Sequence, residues 1–352
     1  MKGYRSVRLG KDQVSLLLDK NTIVKLVILI IFTFGIFIVS ASLGDLRIHP
    51  LTVVNLLFWG SGTELEQLVI YQFRLPRIFA SMLVGMGLAV AGGILQGIIR
   101  NHLAAPDTIG ITAGAGMSVM IFLWLFSDEN YSLMVSIKWL PVAAFIGALL
   151  VAIFVYFLSW KDGVTPVRLI LIGIGVSALM QAGTTIFMVL GPVYMASQAN
   201  IWITGSVNSV TWSDVRVLLP VTIVLLMIAF ISARNVNVQS LGEDIATGVG
   251  SRVQRQRFIL LLISTGLVGT AVAFAGGIGF VGLMAPHIAR KLVGSSFGSL
   301  LPVAALVGAI LVMLADLMGR TLFLPSVVPA GVFTATLGAP YFIYLLMKTK
   351  NS

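Results

Sequence analysis

Few of the 352 residues carry groups that could do chemistry, and their spacing suggests charge pairing rather than catalysis. Cysteine is absent and the histidines, His49, His102 and His287, are scattered, so neither a disulfide nor a metal-ligand spacing is available. The pattern Gly-x-x-x-x-Gly-Lys-Ser/Thr, whose backbone amides cradle phosphates, does not occur. Gly10-Lys11 lacks both the upstream glycine and the hydroxyl residue, so we expect no ATP hydrolysis by this chain alone. No zinc motif or nucleophile elbow is present either. What remains is Asp316, the only acid placed inside a late apolar run, and three arginines at run ends, Arg74, Arg77 and Arg320. A carboxylate within a membrane span is by default a functional candidate. Arg320, one helical turn further on, offers a simpler reading in which an i,i+4 pair neutralises both charges, and we adopt it. A carrier driven by protons would show more buried acids than this one.

These groups must be positioned by elements immersed in lipid. Hydrophobic residues make up 58% of the chain and charged residues only 10%, against about a quarter in soluble domains. Apolar runs near 20 residues recur, the length that crosses ~30 Å of hydrocarbon as helix. Spans are expected near 22–42, 76–99, 106–126, 139–160, 168–190, 214–233, 258–278, 280–293, 300–318 and 331–347, the eighth short and Pro-bearing. The first follows a basic lead and exceeds a signal-peptide core, so it is read as a retained span. The fold class is therefore all-α, a single polytopic membrane domain over 22–347 with tails at 1–21 and 348–352.

With the N-terminus inside, 17 of the 23 Lys and Arg residues fall on inner segments, Lys2, Lys11, Arg100, Arg257 and Lys350 among them, and 6 fall outside. Short cytoplasmic loops collect Lys and Arg, so both termini are expected in the cytoplasm. The formal charge of +10 is explained this way, since no aromatic-interleaved basic patch suggests nucleic acid. Ala91-Gly92-Gly93-Ile94 before Leu103-Ala104-Ala105-Pro106 is echoed by Ala275-Gly276-Gly277-Ile278 before Leu283-Met284-Ala285-Pro286, five spans apart, as in an inverted repeat.

The longest inner polar segment, 234–257, reads as helix, glycine break, helix, and suits a docking element for a cytoplasmic partner. Arg74, Arg77 and Arg320 defy the inside bias and could present a cationic rim to carboxylates of an external partner; a snorkelling role at headgroups is the alternative. In the fifth span Met180, Gln181, Thr184 and Met188 could line a pathway, or simply pack.

In order along the chain stand RLPR at 74–77, AGGILQ at 91–96, NHLAAPDTIG at 101–110, LGEDIATGVG at 241–250, AGGIGFVGLMAPHIAR at 275–290, ADLMGR at 315–320 and GVFTATLGAPYFIYLL at 331–346. In these motifs the chain resembles the FecCD family, permease subunits of type II ABC importers for iron-siderophore complexes, haem and cobalamin. The resemblance implies ten spans, a second permease subunit, same or different, two cytoplasmic ATPase subunits that use ATP and Mg, and an extracytoplasmic binding protein. It implies no cofactor and no catalysis in this chain, and a place in the bacterial cell membrane. It assigns Arg74, Arg77 and Arg320 to binding-protein docking, and Leu241, Gly242, Glu243, Ala246, Gly248 and Gly250 to ATPase coupling. Asn101, His102, Leu103 and Thr165 match a cytoplasmic gate, although His102 stands where the family usually has Pro. Val328-Pro329-Ala330-Gly331 likewise lacks the glutamate usual before the last span. The cargo expected is an iron(III)-siderophore complex, with the hydroxamate type among the candidates. The alternatives are a cobalamin or haem permease of the same family, or an ion-coupled secondary carrier.

Overall fold

The computed structural model describes residues 4–9, 14–127, 134–191 and 193–349. Lys2, Lys11 and Lys350 of the inner cation count, with the last residues of the C-terminal tail, lie outside the described residues. In the N-terminal tail β1 (Tyr4–Leu9) and β2 (Val14–Asp19) pair as an antiparallel hairpin, Tyr4 opposite Asp19. Among the described residues, the regular elements after it are all helices.

Helices coincide with all ten spans read from the sequence: α1 (Lys20–Ser42), α4 (Leu75–Ile99), α5 (Ile111–Leu125), α6 (Leu140–Leu158), α7 (Pro166–Leu190), α9 (Trp212–Ile231), α12 (Val253–Ala275), α13 (Val281–Val293), α14 (Phe297–Thr321) and α15 (Ala330–Thr349). Seven helical stretches are long and apolar enough to cross a membrane. In α5 and α15 the apolar stretches are shorter, Ile111–Leu125 and Ala330–Leu345, and α13 has only 13 residues with Arg290 and Lys291 in its last turn. A helix of that length covers about 20 Å.

Further helices occupy segments that the sequence reading left as loops. Before α4 come α2 (Pro50–Trp59) and α3 (Glu64–Leu68), the latter started by a capping box between Thr63 and Glu66. A π-helical turn, Val69–Arg74, joins α3 to α4, so Glu64–Ile99 forms one helical stretch. After α7 comes α8 (Val193–Thr204), too short and too polar in composition to read as a span. The inner segment holds α10 (Ala233–Ser240) and α11 (Glu243–Gly248), broken at Gly242, whose φ of +113° an L side chain rarely adopts. That is the helix, break, helix expected for 234–257.

Burial separates interior helices from peripheral ones. The apolar windows of Glu64–Ile99, α12 and α14 are 83%, 78% and 78% buried, whereas those of α1, α7 and α9 are 22–28% buried. The first three form the centre of the subunit; the others offer apolar faces to lipid or to another subunit. Close approach at the centre needs glycine. A Cβ on Gly85 would lie 2.2 Å from the Gly308 carbonyl of α14, and one on Gly92 would lie 1.8 Å from that of Gly282 in α13. Small residues let membrane helices pack backbone to backbone.

The echoed motifs do not share a local structure. Ala91–Ile94 lies inside α4, while its counterpart leaves α12 at Ala275 and passes into the break before α13. The echo alone therefore marks no equivalent pair of elements.

Gly85→Val should lower thermal stability in detergent, by about 1–3 kcal/mol as expected for overpacking. Gly35→Ala, where a Cβ meets nothing within 4 Å, should be near neutral. Equal melting temperatures for the two variants would contradict the close crossing.

Candidate functional site

At one end of the helix bundle three arginines meet one acid. The π turn ends at Arg74, and Arg77 follows one turn later in α4. Arg74 Nη1 donates to the carbonyls of Ala41 (2.5 Å) and Ser42 (3.1 Å), and its Nη2 donates to that of Leu46. Arg320 Nη1 donates to the Leu43 carbonyl at 2.9 Å, and its Nη2 to that of Ser40. Both guanidiniums thus satisfy carbonyls at and just beyond the end of α1, where the helix dipole favours cations. Arg77 Nε sits 2.8 and 3.0 Å from the two carboxylate oxygens of Asp316, and its Nη1 donates to Asn208. Arg320 Nε lies 3.8 Å from Asp316.

The expected Asp316–Arg320 pair is present, yet the closer partner is Arg77 on another helix. Arg74 (6% exposed), Arg320 (8%) and Asp316 (3%) are buried, which corrects the picture of an open cationic rim. Carbonyls left unpaired at the end of α1 draw two of the guanidiniums inward. Arg77 is the only one of the three that is not fully buried.

A groove of about 430 Å³ lies between α5, α7, α8 and the break between α12 and α13. Gln181, Thr184 and Met188 line it, while Met180 packs against the hydrophobic core and is not among the lining residues. Sequence reading missed Asp107, Ser177 and Trp202 on the same wall. Asp107 sits in NHLAAPDTIG and could have been flagged there; Trp202 belongs to the unforeseen α8. Trp202 also lines, with the Arg77 partner Asn208, a second cavity of about 590 Å³.

At the other end, 100–103, 159–165 and α10–α11 come together around α12. Arg100 has φ +57° and closes α4; Asn101 Oδ1 accepts from Leu103 N at 2.9 Å. Asn101, His102 and Thr165 are exposed. Partial burial, and then the charge of Arg290, hold the His102 imidazole below its ordinary pKa, so it is neutral near pH 7. Among the described residues, no hydrogen bond or ion pair joins Thr165 to Asn101, His102 or Leu103. Leu241 (61% exposed) stands just before the break, and Ile245 (54%) and Val249 (67%) lie one turn apart on α11 and its C-terminal flank. Gly248 and Gly250 are open, but Ala246 is fully buried and faces the subunit, a correction to its place among surface coupling residues. Ile245 was not named as a site residue, because its role shows only once the helix face is known.

Comparisons with known proteins show the family to which this fold belongs. The model of the FecCD transport family matches residues 28–348. The chain is 54% identical to the "Probable siderophore transport system permease protein" of Bacillus subtilis, across 95% of this chain and 97% of that one. It is 44% identical to the iron(3+)-hydroxamate import system permease protein of the same organism (89% and 93%), and 42% identical to the achromobactin transport system permease protein of Dickeya dadantii (95% and 94%). Among solved structures, a metal-chelate type ABC transporter in an inward-facing conformation superposes with a TM-score of 0.81 at 29% identity, covering 92% of this chain and 99% of that one.

Removing one partner of a buried ion cluster leaves the others uncompensated, at about 3–5 kcal/mol. Asp316→Asn should therefore sharply reduce the yield of folded protein, and Asp316→Asn with Arg77→Gln should recover part of it. A double variant no better than the single would show that Arg77 is not the main partner of Asp316.

Proposed function

The chain belongs to the FecCD transport family and is the permease of an ABC importer; on that premise we propose that it carries an iron(III)-siderophore complex, of hydroxamate type, into a bacterial cytoplasm. The observation that carries the substrate is the set of siderophore and hydroxamate permeases matched across nearly the whole chain. The groove supports it. Its lining among the described residues contains one carboxylate, Asp107, several hydroxyls, the Gln181 carboxamide, and no Lys, Arg or His. Three hydroxamates neutralise iron(III), so such a chelate is uncharged, whereas a tris-catecholate complex is a polyanion that a lone carboxylate would repel.

The energy comes from outside the chain. Two cytoplasmic ATPase subunits bind and hydrolyse ATP with Mg, and they dock on α10–α11. Three exposed apolar residues, Leu241, Ile245 and Val249, on an otherwise polar segment are the kind of surface that marks a protein contact. A second permease subunit packs on the apolar faces that α1, α7 and α9 leave open and completes the pathway whose wall includes Gln181, Thr184 and Met188. Asn101, His102, Leu103 and Thr165 close its cytoplasmic mouth, with both termini on that side.

An external binding protein docks on the face formed by 43–49 and the outer end of α4. Arg74 and Arg320 shape that face by holding 40–46, and Arg77 is the cation nearest its surface. Charge pairs there would set orientation and encounter rate more than affinity. Loaded binding protein docks outside, the ATPase pair closes inside, and the chelate passes unchanged between them.

Ile245→Asp combined with Val249→Asp should abolish co-purification of the ATPase subunits, while the permease still inserts and melts as before; full retention would place docking elsewhere. In proteoliposomes a ferric trihydroxamate delivered by the binding protein should stimulate ATP hydrolysis. Stimulation by haem or cobalamin alone would overturn the substrate.

A further inference from the structure

The first turn of α12 connects two parts of the inner end that the sequence presents as unrelated. Gln254 uses both ends of its carboxamide: Oε1 accepts from Val164 N at 3.0 Å, and Nε2 donates to Glu243 Oε1 at 3.0 Å. Its backbone carbonyl accepts from the Tyr156 hydroxyl of α6 at 3.3 Å. One turn on, Arg257 donates to the Val164 carbonyl and lies 3.4 Å from Glu243. Glu243 is the first residue of α11, and Val164 directly precedes Thr165 and α7. The same two side chains therefore clasp the ATPase-docking helix on one side and the loop that starts α7 on the other.

The clasped loop is itself braced. Trp160 and Val164 form an antiparallel bridge, and Gly163, at φ +110°, approaches Gln254 so closely that a Cβ would lie 2.7 Å from its Nε2. Arg168, in the first turn of α7, donates back to the carbonyls of Ser159 (3.3 Å) and Lys161 (3.2 Å). Loop and helix start thus behave as one block. Arg257 is 2% exposed, and a buried guanidinium that loses its partners is strongly destabilised, so α11 cannot move away from this block without breaking costly contacts. Beyond the block, α7 carries Gln181, Thr184 and Met188 on the groove wall.

We propose that Gln254 and Arg257 are positioning residues that make α11 and the start of α7 move as one body, so that closure of the ATPase pair is delivered to Thr165 and the groove wall. The proposal rests on the importer reading above and deepens it. It differs from a docking role, because neither residue belongs to the exposed face of α11.

The chain contains no cysteine, so a single pair of labels is practical. In the assembled importer, Asp244→Cys and Thr165→Cys are spin-labelled, and their separation is measured without nucleotide and with ATP trapped; uptake per ATP hydrolysed is measured in the unlabelled complex. The separation should be the same in both states. Gln254→Leu should make it differ between states and lower uptake per ATP by about thirtyfold, the scale of two lost net hydrogen bonds, while hydrolysis stimulated by loaded binding protein persists. Glu243→Gln with Gln254→Glu rebuilds a carboxylate–carboxamide pair and should restore both readings. If Gln254→Leu assembles poorly, Arg257→Lys, which keeps the charge and loses the fork, is read in the same way. Unchanged separation and unchanged uptake per ATP in these variants would overturn the relay. An unmodified complex that showed no ATP-coupled uptake would instead overturn the importer reading, and the label pair would still decide the relay.

Discussion

Inside hydrocarbon a backbone N–H or C=O has no water to turn to, and each one left unpaired costs several kcal/mol. Most of this architecture follows from that constraint. Helices satisfy it by themselves, so interest falls on the places where helices stop. Where α12 ends, Ser206 N donates to the Ala275 carbonyl (2.7 Å), Gly277 N to that of Trp202 (2.9 Å), and Gly331 N to that of Gly205 (3.0 Å). Three chain breaks repair one another, and the groove opens beside them. Irregular backbone at membrane depth is tolerated where it lines a cavity, which is the situation here.

Buried charge obeys the same rule. Arg74 and Arg320 spend their donors on the carbonyls around the end of α1, while Asp316 is held between Arg77 and Arg320. The cluster fastens α1, α4 and α14 at the outer end. At the inner end Arg257 does comparable work between α11, α12 and the loop before α7. The subunit is thus pinned by guanidiniums near both surfaces, with glycine-mediated helix crossings between them.

Periodicity and hydropathy were enough to place every spanning helix, because lipid imposes a minimum apolar length that the residues must show. The glycine break at Gly242 was readable for a similar reason, since a polar inner segment has few ways to turn between helices. What escaped was set by tertiary contact. Val193–Thr204 is a helix shorter than any span, and the π turn before α4 leaves no mark in residue type. Direction of side chains escaped too. Arg74 and Arg320 read as an outer rim until the end of α1 supplies the carbonyls that draw them in, and Met180 reads like Met188 until the face of α7 is known. Asp107 was hidden inside a recognised motif, its groove position visible only when α7 and α8 are brought beside it.

The central claim is that an external ATPase, and no ion gradient, drives a metal chelate past this chain. The most direct measurement is uptake of radioiron as its trihydroxamate chelate into proteoliposomes holding the complete complex, with ionophores collapsing every ion gradient. Uptake should continue with ATP and stop when the ATPase subunits carry an inactivated phosphate loop. Uptake that proceeded with inactive ATPase subunits and depended on an ion gradient would contradict the account.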